Sequence, residues 1–546
     1  MKRLFATLAV ILILGTVAAQ CSVPATVVVT KEVEVEKIVK ETVEVEKVVT
    51  ATPEPKPGEA TEPVKGGTLT VSIGNDIQNF DPVTSLIQAY RSHVQKAVFN
   101  MLYQYDENGV IVPMLAESVE QPDPQTYVFH LREDVTWHDG KPFTAQDVVY
   151  TFGRIQDPEE GSPYLPYYEG VTSVEATDDH TVTVTLDEIN GSFMDSIAAA
   201  PIVQDGSGES NVLNPVGTGP FKFVSWTSND EGVFEANPDY FMGAPLLDKL
   251  VFKIQPEAQI ALTNLRAGEV DAIAPFPGNL VPVAETDPSI ELVVQETPTL
   301  LMFIELRADK EYTKTPKLRQ ALAHAIDHEA IKKVIFNGYG TPTSHFLHPS
   351  SPYWEELPLY EYDPELAKQM FEEEGLAGDL PPLVIEVPAG WPELEQLAVI
   401  WQSGLTQAGI TADVRVAEIQ VWLDRTLGPD FTVTTNAYGP PPDPNTWYQI
   451  IPRRHWYGYV SDEPGDYTTP AAKEMEKLVN EALSAPDEET RKAKWLEVNR
   501  LHHEELPAIP VFYWPIFMPV RPGVHGIAIS PTSDYHYQNA WVEKTE

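Results

Sequence analysis

The run His502-His503-Glu504-Glu505 has the residue types of a metallopeptidase helix, in which two histidines hold zinc and a glutamate activates water. In such a helix the second zinc ligand falls four residues after the first. That place is Leu506 here, followed by Pro507, so the run reads as a solvated helix face. Gly217-Thr218-Gly219-Pro220 begins like a dinucleotide loop, but Pro220 and the missing third glycine spoil it. The sequence has no Gly-x-Ser-x-Gly elbow, and its single cysteine, Cys21, sits near the N-terminus. Among 81 acidic residues some pair falls at glycosidase spacing by chance, so carboxylates alone decide nothing. His345 and His348 share a loop and suit nickel ligation or solvent exposure equally, and no compact histidine cluster favours the metal. No catalytic residue, cofactor or metal is expected, and the chemistry that remains is non-covalent binding.

Binding by contact needs flat apolar faces and a few aimed polar groups. The chain has 11 Trp, 22 Tyr and 20 Phe. Those in turn-like segments are the better candidates, since a core aromatic fits more naturally on a periodic element. Trp391 follows the strand-like Val387-Pro388 just ahead of a helix, and Tyr438 and Trp447 bracket a proline-rich stretch. Asp443, in that stretch, can either meet a ligand or cap the local turn. Arg307 suits a ligand carboxylate or a surface ion pair, and Thr84 and Ser85 follow Asp81-Pro82 as candidates from a second segment.

The elements that must position these residues alternate between strand and helix. In Gln125 to Leu131, Tyr127, Phe129 and Leu131 alternate with Val128 and His130, the period of a strand with one buried face. Trp137-His138-Asp139-Gly140 then turns the chain. Thr144 and Asp147 have capping-box spacing, and Val148, Phe152 and Ile155 share one helical face. Asp363-Pro364 opens a helix with Leu366 and Met370 expected inward and Gly375 ending it. Leu394, Leu397, Ile400, Trp401 and Leu405 form an amphipathic helix that leads past Gly409 into the alternating strand Ile410 to Val416. Arg491 to Leu506 followed by Pro507 to Trp514 repeats the move, so the fold class is α/β.

Lys2 and Arg3 precede the apolar run Leu4 to Leu14 and the small residues Ala18 and Ala19, a secretory signal too short to span a bilayer. Cys21 directly after it is expected to carry lipid, although Gln20 departs from the usual small residue. Val33 to Val39 returns as Val43 to Val49 in a stalk of alternating charged and β-branched residues, followed by a Pro/Glu-rich linker. A net charge of -44 repels phosphate backbones, which excludes a nucleic-acid partner.

The run from Ala116 to Ile155 resembles the signature of extracellular solute-binding protein family 5, whose lipoproteins feed peptide, nickel and oligosaccharide ABC importers. Five more segments carry the resemblance in the family's order. They are Asn79-Phe80-Asp81-Pro82, Pro215 to Phe221, Asn237 to Phe241, Ala267 to Asp271 and Leu318 to Asp327. The resemblance implies a type II periplasmic-binding-protein fold of the large three-domain subclass, with mixed sheets and an interlobe cleft. Its expected parts are a signal peptide at 1–20, a stalk and linker at 21–66, a first lobe at 67–106, 213–300 and 511–546, an extra domain at 107–212 and a second lobe at 301–510.

By the same resemblance, the partners are an ABC permease with its ATPase and a captured solute, and the protein is an exported, lipid-anchored monomer. Trp391 and the Asn436–Trp447 stretch match pocket-lining segments of the family. Aligned on Asp443-Pro444, the tryptophan of peptide binders is Ala437 here, and the aspartate that pairs with a peptide ammonium is Pro440. An oligopeptide is the expected ligand, with an oligosaccharide as the alternative and a secreted hydrolase as the rival of another class.

Overall fold

The computed structural model describes residues 62–543, apart from 86, 88, 169, 377–379, 427, 429, 440–443 and 446–469. Cys21, the stalk, Asp443 and Trp447 lie outside the described residues.

A seven-stranded mixed sheet takes, from one edge, Glu291–Gln295, Ile516–Val520, Ala272–Ile273, Thr68–Ile73, Lys249–Ile254, Glu231–Ala236 and Phe221–Trp226. Thr68–Ile73 runs parallel to Lys249–Ile254, and Leu69, Val71, Leu250 and Phe252 enter its core. A six-stranded sheet is ordered Thr341–Pro342, Ala508–Tyr513, Leu301–Leu306, Val433–Tyr438, Leu383–Pro388 and Ala412–Ala417. Its strand Leu301–Leu306 is buried along its whole length because both faces are covered. Met302, Ile304 and Leu306 pack with Leu322 and Trp401, while Leu301 and Phe303 pack with Met475, Val479 and Trp495. A smaller antiparallel sheet joins Ala116–Asp123, Thr126–Leu131, Thr181–Leu186 and Val171–Asp178.

Local chemistry explains these elements. Tyr127, Phe129 and Leu131 alternate inward, as their period requires. Helix Ala145–Gln156 starts at Thr144, whose N–H donates to the Asp147 carboxylate at 2.8 Å, and it buries Val148, Phe152 and Ile155. Asp363 caps helix Pro364–Glu373 by accepting from the Leu366 N–H at 2.9 Å. The inward stripe of that helix is Ala367 and Phe371; Leu366 is exposed, one position off the expected face.

Two strands leave one sheet and enter the other. Glu291–Gln295 continues through 296–300 into Leu301–Leu306, and Ala508–Tyr513 continues through Trp514 and Pro515 into Ile516–Val520. The two run antiparallel to each other in both sheets. The strand Ala508–Tyr513 thus straddles the expected 510/511 boundary and lies wholly in the six-stranded sheet.

Candidate ligand-binding edge

Register brings Trp391 and Tyr438, two of the three sequence-predicted aromatics, to one end of the six-stranded sheet. Leu301 pairs with both Tyr438 and Tyr513, so strand Val433–Tyr438 ends where the chain crosses between sheets. Leu383–Pro388 runs parallel to it and delivers Trp391 to the same end. Trp391 stands at the start of helix Pro392–Gln407 and is 45% exposed, with its ring edge-on to Trp514 at 6.0 Å and 82°. Trp514 is in turn fixed by its N–H, which donates to the Leu300 carbonyl at 2.9 Å. Tyr438 is also among the exposed large side chains. This half-open aromatic surface is built for stacking. Trp514 was missed in the sequence, although its place before a proline between two strands marks it as a junction residue.

In the seven-stranded body, Asp81 is gripped by Arg154, and its backbone N–H donates to Asn79 Oδ1 at 2.9 Å. Thr84 belongs to the same network: its hydroxyl accepts from Asn79 at 3.0 Å and donates to Asp81 at 3.3 Å. Ser85 is buried, and its hydroxyl has no hydrogen-bond partner among the described residues. Ser85 is thus the unpaired hydroxyl of the two, and Thr84 the less buried.

His138 ties two of the sequence motifs together. Its Nδ1 accepts from the Gly217 N–H at 3.3 Å and its Nε2 meets the Gly219 carbonyl at 2.9 Å. That pattern requires the neutral ring with the proton on Nε2. Burial pushes its pKa down to about 4, in agreement.

Arg307 is buried and turned onto Asp309, with Nε and Nη2 donating at 3.0 and 3.2 Å. Of the two partners the sequence offered, a ligand carboxylate or an ion pair, the chain supplies the ion pair, buried on the arginine side. The histidines also differ from expectation. His502 is buried against Phe346 at 4.6 Å, so the run His502 to Glu505 is not a uniformly solvated face. His345 and His348 are buried too, His348 bonding to the Thr297 carbonyl. Burial holds the His345 ring down to about 3. No three metal-ligating side chains converge among the described residues.

Sequence reasoning also missed two acidic residues that share one face of the six-stranded sheet, because Glu305, Thr434 and Glu386 lie opposite one another in register. Glu386 is buried against Arg415 and Arg425. Glu305 accepts from the Asn436 amide, its second oxygen has no partner, and burial pushes its carboxyl up to about 8.

Over residues 110–455 the chain matches the family model described as bacterial extracellular solute-binding proteins, family 5 Middle. The chain belongs to family 5 of the bacterial extracellular solute-binding proteins. Among its relatives, the dipeptide-binding protein of Escherichia coli is 27% identical over 471 residues, covering 79% of this chain and 86% of that one. The oligopeptide-binding protein AppA of Bacillus subtilis is 26% identical over 519 residues, covering 89% and 93%. The crystal structure of the ABC transporter substrate-binding protein CtaP from Listeria monocytogenes superposes with a TM-score of 0.77 at 24% identity, covering 88% of this chain and 99% of that one. Bacillus subtilis AppA in complex with a nonapeptide gives 0.68 at 24%, covering 88% and 100%. Family 5 members are solute-binding proteins, and the α/β fold with mixed sheets is the family's two-lobe fold.

Proposed function

We propose that this family 5 protein captures a peptide between the seven-stranded and six-stranded bodies and delivers it unaltered to an ABC permease. The two bodies are the lobes, the four-stranded unit is the extra domain, and the crossing strands are the hinge. A solute touching both lobes stabilises only the closed form, so no chemical step is needed. The observation that carries this reading is the half-exposed Trp391 set edge-on against Trp514 at the crossing. The peptide named in relatives such as the E. coli dipeptide-binding protein and AppA supports the ligand class.

Trp391 and Tyr438 form the aromatic wall, with Thr84 and Ser85 on the opposite lobe. Because Pro440 stands where peptide binders of the family carry an acid, the ligand is held more by stacking and backbone contact than by an ion pair to its ammonium. Residues 1–20 act as the signal peptide, Cys21 as the lipid anchor and 21–66 as the tether that lets the monomer reach its permease.

Titration of intrinsic tryptophan fluorescence against peptide and oligosaccharide libraries tests the reading. Saturable change with peptides and none with sugars is expected, and the reverse would replace peptide by oligosaccharide. Product formation from any library member would make the protein an enzyme.

A further inference from the structure

The extra domain has no part in the ligand contacts above, yet it touches the far lobe. The loop at Asn190 and Gly191 meets the tip of the helical hairpin formed by Pro470–Leu483 and Glu488–Glu505. The Gly191 N–H donates to the Leu483 carbonyl at 3.0 Å. Arg491 lies over Gly191 so closely that a Cβ there would stand 2.4 Å from Nε and 2.8 Å from Cζ. The same guanidinium is near enough to act electrostatically on Tyr127 of the extra domain and Tyr353 of the six-stranded lobe, and Asp195 of the extra domain also acts on Tyr353.

Topology gives this contact its meaning. The hairpin belongs to the six-stranded lobe, where Met475, Val479 and Trp495 pack with Leu301 and Phe303. The extra domain is inserted in the chain of the other lobe, between Thr68–Ile73 and Phe221–Trp226. The sheets of the two lobes are joined covalently only at 296–300 and 514–515, so any rotation there must carry Leu483 and Arg491 past Gly191. The lever arm is long. From Glu505, near the crossing strand, back to Arg491 the helix runs roughly 20 Å at the usual rise per residue. By contrast Tyr339, which donates to Glu285 at 2.7 Å, packs on Phe517 beside the crossing, where rotation moves little.

We propose that the hairpin tip is a strap which closes onto the Asn190–Gly191 loop when the lobes close, so that the extra domain serves as the catch that holds the closed form. Gly191 is then glycine because a side chain there would wedge the strap open. Every kilocalorie of contact made only in the closed form adds to apparent ligand affinity, and preventing the contact reduces the fraction of binding-competent protein.

The test uses the full chain carrying Cys21→Ser, with spin labels at Asp178→Cys on the extra domain and Glu489→Cys on the hairpin, both exposed. Electron–electron resonance of ligand-free protein is expected to show a short-distance component that Gly191→Lys removes through bulk and like charge against Arg491. Identical distance distributions in the two proteins would overturn the strap. Because the ligand part rests on the peptide reading, trialanine is added second. The short component should grow in the parent, and Gly191→Lys should bind about tenfold more weakly, with partial recovery when Arg491→Ala removes the opposing charge. Trialanine binding equally well to both proteins would overturn the strap. If trialanine bound neither, the peptide reading would fail while the ligand-free distances still decide the strap. A thermal melt of Gly191→Lys equal to that of the parent is expected, since the contact joins parts that fold in separate cores. A large loss of stability would mark Gly191 as a fixed brace and overturn the proposal.

Discussion

Arg154 lays its guanidinium across Asp81, donating to both carboxylate oxygens at 3.1 and 2.7 Å, with both side chains buried. A third partner, Glu160, accepts from Nε and Nη2 of the same guanidinium at 3.1 and 2.6 Å. The pair clips the Asn79–Pro82 loop to helix Ala145–Gln156. Removing Arg154 leaves Asp81 buried without a cation, which costs about 3 to 5 kcal/mol, whereas removing Asp81 leaves the guanidinium still held by Glu160 and costs less. Arg154→Ala should lose that much in urea denaturation and Asp81→Ala less, and the double variant should lose less than the two together. Additive losses would show that the two side chains act independently.

Glu305 makes stability fall toward alkaline pH. Its folded pKa of about 8 lies above the ordinary carboxyl value near 4.5, so the folded state holds its proton more tightly than the unfolded chain does. Stability is therefore full below about 4.5 and is lost as pH rises through about 8. Glu305→Gln keeps the shape and the acceptor for Asn436 while removing the charge. Its melting temperature should exceed that of the parent at pH 9 and match it at pH 4.5. Equal melting temperatures at pH 9 would contradict the assignment.

His138 acts at the other end of the scale. Held neutral with a folded pKa of about 4, it binds fewer protons than the unfolded ring at about 6.5. Stability is thus intact above about 6.5 and falls as pH drops toward 4, when a proton on Nδ1 would oppose the Gly217 N–H. His138→Asn should be less stable than the parent at pH 7.5, yet show a shallower decline between pH 6.5 and 4 in a series of denaturation curves.

Trp391 and Arg307 separate binding from folding. Trp391→Ala removes a half-exposed ring, so the melt should change little while peptide affinity falls by about 2 kcal/mol, roughly thirtyfold. Arg307→Ala removes both hydrogen bonds to Asp309, leaving only Lys310 at 3.7 Å, and should instead lower stability, with affinity changed less than threefold. Calorimetric titration of both variants checks this, and an Arg307→Ala protein that is stable but blind to peptide would reverse the roles.

The parts of the fold that local chemistry dictates could be read from the sequence. The Tyr127, Phe129 and Leu131 alternation, the Thr144–Asp147 cap and the Asp363-Pro364 helix start each depend on neighbours a few positions away, and each is present. Trp391 stood out because it interrupts a strand-to-helix passage. Glu305 did not, because nothing in Leu301–Leu306 distinguishes a strand covered on both faces from one with a wet face, and a glutamate there reads as solvent-facing. The His502 environment and the Gly191 contact were hidden for a related reason. Both arise from segments more than a hundred residues apart that meet only through sheet order.

The paired crossing strands have a mechanical consequence. Between the sheets the ladder of the two paired strands is interrupted, residues 296–300 facing 514–515, so bending at that break displaces few hydrogen bonds while in-plane shear must tear the ladders on both sides. Such a flexure gives the molecule a single compliant coordinate. On the proposed reading, the size of the captured solute would set that one angle, and a permease would have a single quantity to recognise.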